Sequence, residues 1–157
     1  MITIGDILSP KQVTLELTAT TRESAILEVA QLLRGDERVR DWNGFVGAIK
    51  TGNTCMANEA GFGVCIPHAR TNEVSSMVMA VGRARKGIWF GEEGDPERVL
   101  AHYIIVIGVP VALAADYLRI IGAIARTFRS SKSEAALRGA ATKQGFIQLL
   151  TENESPI

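Results

Sequence analysis

Apolar and polar positions alternate over VTLEL, residues 13–17, which predicts a strand. Thr20 and Glu23 then stand in the S/T-x-x-E spacing that opens a helix, and Ile26, Leu27, Ala30 and Leu33 give that helix one apolar face. Asp41 is placed to cap a second helix with Trp42, Phe45, Val46 and Ile49 as its stripe. Gly44 and Gly47 weaken it by about 1 kcal/mol each. GVCIPH, residues 63–68, predicts a short buried strand stopped by Pro67, which has no N–H to give a ladder. SMVMAVGRA at 76–84 predicts another, followed by the turn-rich RKGIWFGEEGDPE. VLAHYIIVIGVP at 99–110 is almost continuously apolar, as a central strand covered on both faces would be. Beyond Pro110, Leu113, Tyr117, Ile120, Ile124 and Phe128 recur at helical spacing; Ser131 and Glu134 box a further helix, and residues 142–151 make a last one. Strands interleaved with helices predict a layered α/β fold. Residues 1–151 read as one domain and the tail 152–157, ENESPI, as frayed.

Composition narrows the function classes. A chain of 157 residues can bury an ordinary core without a metal or disulfide staple. Seventeen basic and seventeen acidic residues cancel, with no basic stripe, so no nucleic-acid partner is expected. The N-terminus lacks a signal peptide, and the longest apolar runs are too short or too charged for a membrane span. These features predict a cytoplasmic protein with no direct membrane insertion. Two cysteines in such a chain predict free thiols in a reducing compartment.

The chemistry concentrates in GFGVCIPHAR, residues 61–70. GFG lacks the third glycine of a dinucleotide fingerprint and precedes a strand rather than a helix. Cys55, Cys65, His68 and His102 are zinc-compatible residue types, but C-x9-C-x2-H-x33-H contains no paired knuckle, so no metal is expected. Cys65 reads as a small core residue and His102 as a strand residue paired with a backbone group. His68 differs, because it lies at the carboxyl end of a strand, where open α/β sheets present ligand sites. Imidazole titrates near 6.5, so a neutral ring able to attack phosphorus exists at cellular pH. On the residues alone, a structural and a reactive histidine both stay open.

GVCIPH resembles the phosphorylation site of the IIA domains of the bacterial phosphotransferase system, fructose/mannitol type, a family that includes the nitrogen-regulatory IIA proteins. Gly63, Val64, Ile66, Pro67 and His68 match the motif G-[IV]-A-[IV]-P-H, with Cys65 in place of alanine. The resemblance extends through IGDILSPKQVTLEL, SAILEVAQLL, VLAHYIIVIGVP, YLRIIGAIARTF and AALRGAATKQGFIQLL, nearly the whole chain. It implies a mixed β-sheet with helices on both sides and a phosphotransferase acting through phosphohistidine on Nε2 of His68. It also implies an HPr-like phosphocarrier as donor and a IIB domain or regulated target downstream, in a regulatory role, with no cofactor.

Several supporting groups of that family pattern are absent. Gly52 and Asn53 stand where the family has Arg-Glu, Asn58 and Glu59 where it has threonine and glycine, and Tyr117 where it has a second histidine. Arg70 and Lys50 are the candidate replacement charges and Tyr117 a replacement hydroxyl donor, while Glu59 would repel a phosphate lying beside it. Restoring Arg and Glu at positions 52 and 53 is expected to restore the charge pair, provided Gly52 does not hold a positive φ. Docking is expected through Phe62, Ile88, Trp89 and Phe90. The competing reading is a non-catalytic binding module that keeps the fold.

Overall fold

The structure is a computed structural model that describes residues 1–152 and 154. Five strands form one mixed sheet in the order β1-β4-β5-β3-β2. They are β1 (Val13–Thr14), β2 (Asn53–Ala57), β3 (Gly63–Arg70), β4 (Val78–Phe90) and β5 (Val99–Val109). β1 runs parallel to β4 and β3 parallel to β5, whereas β4–β5 and β2–β3 are antiparallel. The helices are α1 (Ile4–Ile7), α2 (Arg22–Ala30), α3 (Trp42–Ile49), α4 (Ala114–Arg129), α5 (Ser131–Gly139) and α6 (Lys143–Glu152).

Strand alternation builds two cores, one on each face of the sheet. Tyr103, Ile105 and Ile107 of β5 join Val64 and Ile66 of β3 against Ile120, Ile124 and Phe128 of α4, Leu137 of α5 and Phe146 of α6. Their neighbours Ile104, Val106 and Cys65 pack the other way, against α2 and α3 through Val29, Phe45 and Ile49. β5 is therefore the central strand its apolar run predicts, and helices cover both sides. Asp41 caps α3 by accepting the Gly44 N–H at 3.3 Å. α2 starts one residue later than predicted, with Thr21 rather than Thr20 as its cap; Leu27 faces solvent, and Val29 lies in the core.

The strands and the tail correct further expectations. The strand predicted at 13–17 pairs only at Val13 and Thr14. β4 does not end at Ala84: it continues through Arg85–Phe90, bending at a register shift between Arg83 and Ile88 where Gly87 takes φ +78°. Nor does Pro67 stop β3. It lies opposite Asn53, between the hydrogen-bonded positions of the antiparallel ladder, where no N–H is needed toward β2. The cost falls on the other side, where the β3–β5 pairing skips Ile66 and Pro67 and resumes at His68↔Ile107. Finally, Glu154 is not frayed, because its carboxylate accepts the Ile4 N–H at 2.6 Å and lies 3.8 Å from Arg119. Residues 153 and 155–157 of the predicted tail lie outside the described residues.

The cysteines are not free thiols. β2 and β3 fold back through a turn centred on Ala60, which sets Cys55 directly opposite Cys65 with their Cα atoms 4.1 Å apart, and a disulfide joins them. Glu134, expected to box α5, is instead fully buried and Ser130 caps that helix. The Glu134 carboxylate accepts from the Tyr103 hydroxyl at 2.7 Å, the Asn58 amide at 3.3 Å and the Arg138 guanidinium at 3.0 Å. Burial pushes its pKa up, but these donors outweigh it, and the net displacement is below the ordinary glutamate value.

Candidate functional site

His68 sits near the carboxyl end of β3 on the face shared by Val64 and Ile66, turned toward α4, and is half-buried. Its backbone N–H donates to the Gly52 carbonyl at 3.1 Å, fixing the edge strand beside it. Nδ1 lies 2.8 Å from the Ile66 carbonyl oxygen. A carbonyl only accepts, so this bond assigns the proton of the neutral ring to Nδ1 and leaves the lone pair on Nε2. The Cβ of any side chain at Gly52 would lie 3.6 Å from that Nε2 and 2.6 Å from the His68 carbonyl oxygen. Gly52 therefore keeps open the space next to Nε2.

Tyr117 flanks the ring from α4, with centroids 5.4 Å apart and the planes tilted by 36°. Burial pushes its phenol pKa up, so it is a proton donor at neutral pH. Arg70 is exposed two residues along β3, on the His68 face by strand alternation, roughly 6.5 Å further on. It has no ion-pair partner among the described residues. Lys50 is exposed at the C-cap of α3, two residues before Gly52. Parity sets Asn53 apart: it is opposite Pro67 and shares the Cys55–Cys65 face, away from the histidine ring. A Glu at 53 would point away from His68, and Arg at 52 would meet backbone, although Gly52 has no positive φ. Neither side chain would be placed to rebuild a charge pair beside Nε2.

Asn58 and Glu59 lie in the β2–β3 turn, beyond the Ala57↔Gly63 pair and so about 16 Å along the strand from His68. Asn58 holds that turn, accepting from the Ala60 and Phe62 N–H groups at 3.0 and 3.1 Å and donating to Glu134. Glu59 is exposed there, too far away to repel a group on His68. His102 is at that same far end, half-buried against the Phe62 ring, and burial pushes its pKa down. Cys65 faces the opposite side of the sheet from His68, so no shared metal site joins them.

The expected docking residues are also misplaced. Ile88 and Phe90 are buried, and Trp89 stacks on Arg98 at 3.9 Å opposite Leu100, about 23 Å along β5 from the His68 partner Ile107. The exposed apolar residues near His68 are instead Leu118, next to Tyr117 and 67% exposed, and Val111, just past β5 and 48% exposed. Sequence reasoning missed the Ile66 carbonyl and the open position at Gly52. Strand parity over Val64, Ile66, His68 and Arg70 was the available signal for the first; nothing local signals the second.

The family model described as "Phosphoenolpyruvate-dependent sugar phosphotransferase system, EIIA 2" matches residues 6–153. The fructose-specific EIIA component of the phosphotransferase system of Haloferax volcanii is 30% identical over 149 residues, covering 95% of each chain. Among solved structures, the nitrogen regulatory protein IIA-Ntr of Neisseria meningitidis superposes with a TM-score of 0.79 at 22% identity, over 94% of this chain and 99% of that one. Mannitol IIA of Escherichia coli, solved in complex with phosphorylated IIB, gives 0.68 at 19% identity over 92% and 97%. Those two share the fold: a mixed sheet between helical layers. Among the described residues no helix is long and apolar enough to cross a membrane. With the match running through both cores and the His68 strand, this chain belongs to the EIIA 2 family of the phosphoenolpyruvate-dependent sugar phosphotransferase system, as an EIIA-type phosphoryl-carrier domain.

Proposed function

We propose that His68 is the phosphoryl acceptor and that a histidine-phosphorylated, HPr-like protein is the donor, with a IIB domain or regulated target receiving the group afterwards. The observation that carries this reading is the Nδ1–H···O bond to Ile66. It orients the ring, keeps the proton off the reacting nitrogen and directs the Nε2 lone pair into the space left by Gly52. In the transfer, that lone pair forms a bond to phosphorus as the phosphorus–nitrogen bond to the donor imidazole breaks. The bonding pair returns to the donor ring, and the Nδ1 proton of His68 stays in place. Such transfers depend on positioning and on stabilising charge over the equatorial oxygens. Arg70 supplies that charge and the Tyr117 hydroxyl a hydrogen bond; Lys50 is the remoter cation. Val111 and Leu118 form the apolar rim for the donor, a transient contact. As a carrier of the EIIA type, the protein works in the cytoplasm, in a regulatory role of the IIA-Ntr kind.

The test is incubation with phosphoenolpyruvate, enzyme I and HPr, followed by intact mass and acid lability of the product. An acid-labile gain of one phosphoryl group, absent in His68→Ala, is expected. Label kept in that variant, or none in the native protein, refutes the assignment. The second outcome leaves the binding module, which the bare Gly52 and the tyrosine at 117 favour.

A further inference from the structure

We propose that Cys55 and Cys65 form a reversible dithiol–disulfide pair that sets how firmly β2 is seated on His68. Through that seating it sets the rate of phosphoryl acceptance; this second step rests on the reading of His68 given above. The pair ties the edge strand of the sheet, which is hydrogen-bonded on one side only, to the strand that carries the acceptor. Asn53, Thr54 and Ala57 of β2 are exposed, and its apolar packing is confined to the part-buried Cys55 and Met56. At its start, the Gly52 carbonyl receives the His68 N–H, and the Gly52 backbone borders Nε2. A change in the attachment of β2 therefore reaches the acceptor within one strand pair.

Access and chemistry fit a switch. Cys55 is half-buried at the sheet edge, while Cys65 lies beneath it, fully buried on the α2–α3 face. A small disulfide oxidant, R–S–S–R, meets Cys55 first. The Cys55 thiolate forms a mixed disulfide and expels RS⁻; the Cys65 thiolate then attacks the Cys55 sulfur, expelling the second RS⁻. Two protein thiols lose two electrons and two protons, and the oxidant leaves as two RSH; a dithiol reductant reverses the exchange. In the reduced state the Cys55 thiol is not stranded, because the Asn53 side-chain oxygen lies 3.7 Å from its sulfur. Cys65 then behaves as a small buried hydrophobe.

The expected size follows from the short loop. The bond closes a sequence separation of 10 residues. Removing that restraint from an opened hairpin favours opening by roughly 100-fold in the loop-entropy account. The experiment compares the intact protein equilibrated in oxidised glutathione with the same protein reduced by dithiothreitol and desalted, reading thiol number, hydrogen exchange and phosphoryl acceptance. Expected are loss of both thiols on oxidation, β2 and His68 amide exchange faster by 10- to 100-fold on reduction, and slower phosphoryl acceptance in the reduced form. A Cys55→Ser/Cys65→Ala variant should match the reduced protein and ignore redox conditions. Thiols that resist glutathione, or exchange at β2 and His68 independent of redox state, overturns the switch. Redox-dependent exchange with equal acceptance rates overturns its functional half. Redox-dependent exchange with no phosphorylation in either state refutes His68 as acceptor and leaves the switch in seating established.

Discussion

Replacing Gly52 by alanine adds one methyl group at a tightly constrained position beside His68. The new Cβ would stand 2.6 Å from the His68 carbonyl oxygen, a backbone atom that cannot swing aside. Ordinary van der Waals contact begins near 3.4 Å, so the edge strand and the His68 backbone must separate by most of an ångström. Overpacking of that kind costs about 1–3 kcal/mol. Since Gly52 lies at the exposed start of the edge strand, the low end is expected, with the fold retained. The rate should suffer more, because a misplacement of about 1 Å in a positioned reaction costs roughly 10²-fold. The same Cβ also narrows the approach to Nε2, from which it stands 3.6 Å. The assay is single-turnover phosphoryl acceptance from phosphorylated HPr, with thermal unfolding in parallel. A folded Gly52→Ala protein that accepts at the native rate would refute the argument that this opening is required. The double variant Gly52→Arg/Asn53→Glu should be no better, since one side chain meets backbone and the other lies on the wrong face.

Arg70→Ala should slow acceptance by about 10- to 100-fold with stability within about 0.5 kcal/mol, because Arg70 is exposed, has no ion-pair partner among the described residues and lies on the His68 face of β3; unchanged kinetics would remove it from the site. Tyr117→Phe keeps the ring against His68 and removes only the hydroxyl, so about 10-fold slower acceptance with unchanged stability is expected. Equal loss of rate and stability would make Tyr117 a packing residue. Glu134 has its folded-state pKa held below the ordinary value of 4.5, so its stabilisation is fully present above that value and is lost as pH falls through the folded one. Denaturant midpoints between about pH 5 and 3 should therefore fall more steeply in the native protein than in Glu134→Gln, and parallel slopes would contradict the assignment.

The central strand at 99–109, the α3 cap at Asp41 and the long apolar-faced α4 were legible in the sequence because each is written in local periodicity and capping chemistry. The motif singled out His68 as the candidate residue. β2 was not legible, because Asn53–Ala57 carries no strong pattern and becomes a strand only when β3 is there to pair with it. The end of β3 was misplaced for a related reason: Pro67 breaks a ladder only on the side its nitrogen faces, and pairing decides that side.

The same division runs through the site. Motif spacing presents His68, but the Nδ1–Ile66 bond, the gap at Gly52 and the approach of Tyr117 are relations between strands and helix. Asn58 and Glu59 show the reverse, being close to the histidine in sequence yet carried a strand's length away by the hairpin. Cys55 and Cys65 read as separate thiols until the turn at Ala60 put them face to face. Local pattern in the chain was enough for the fold class and the central strand, and it singled out His68 as the candidate. Which groups surround that histidine was decided by register and by the face each side chain takes. A shift of one residue in a strand reverses the face, and no local composition records it.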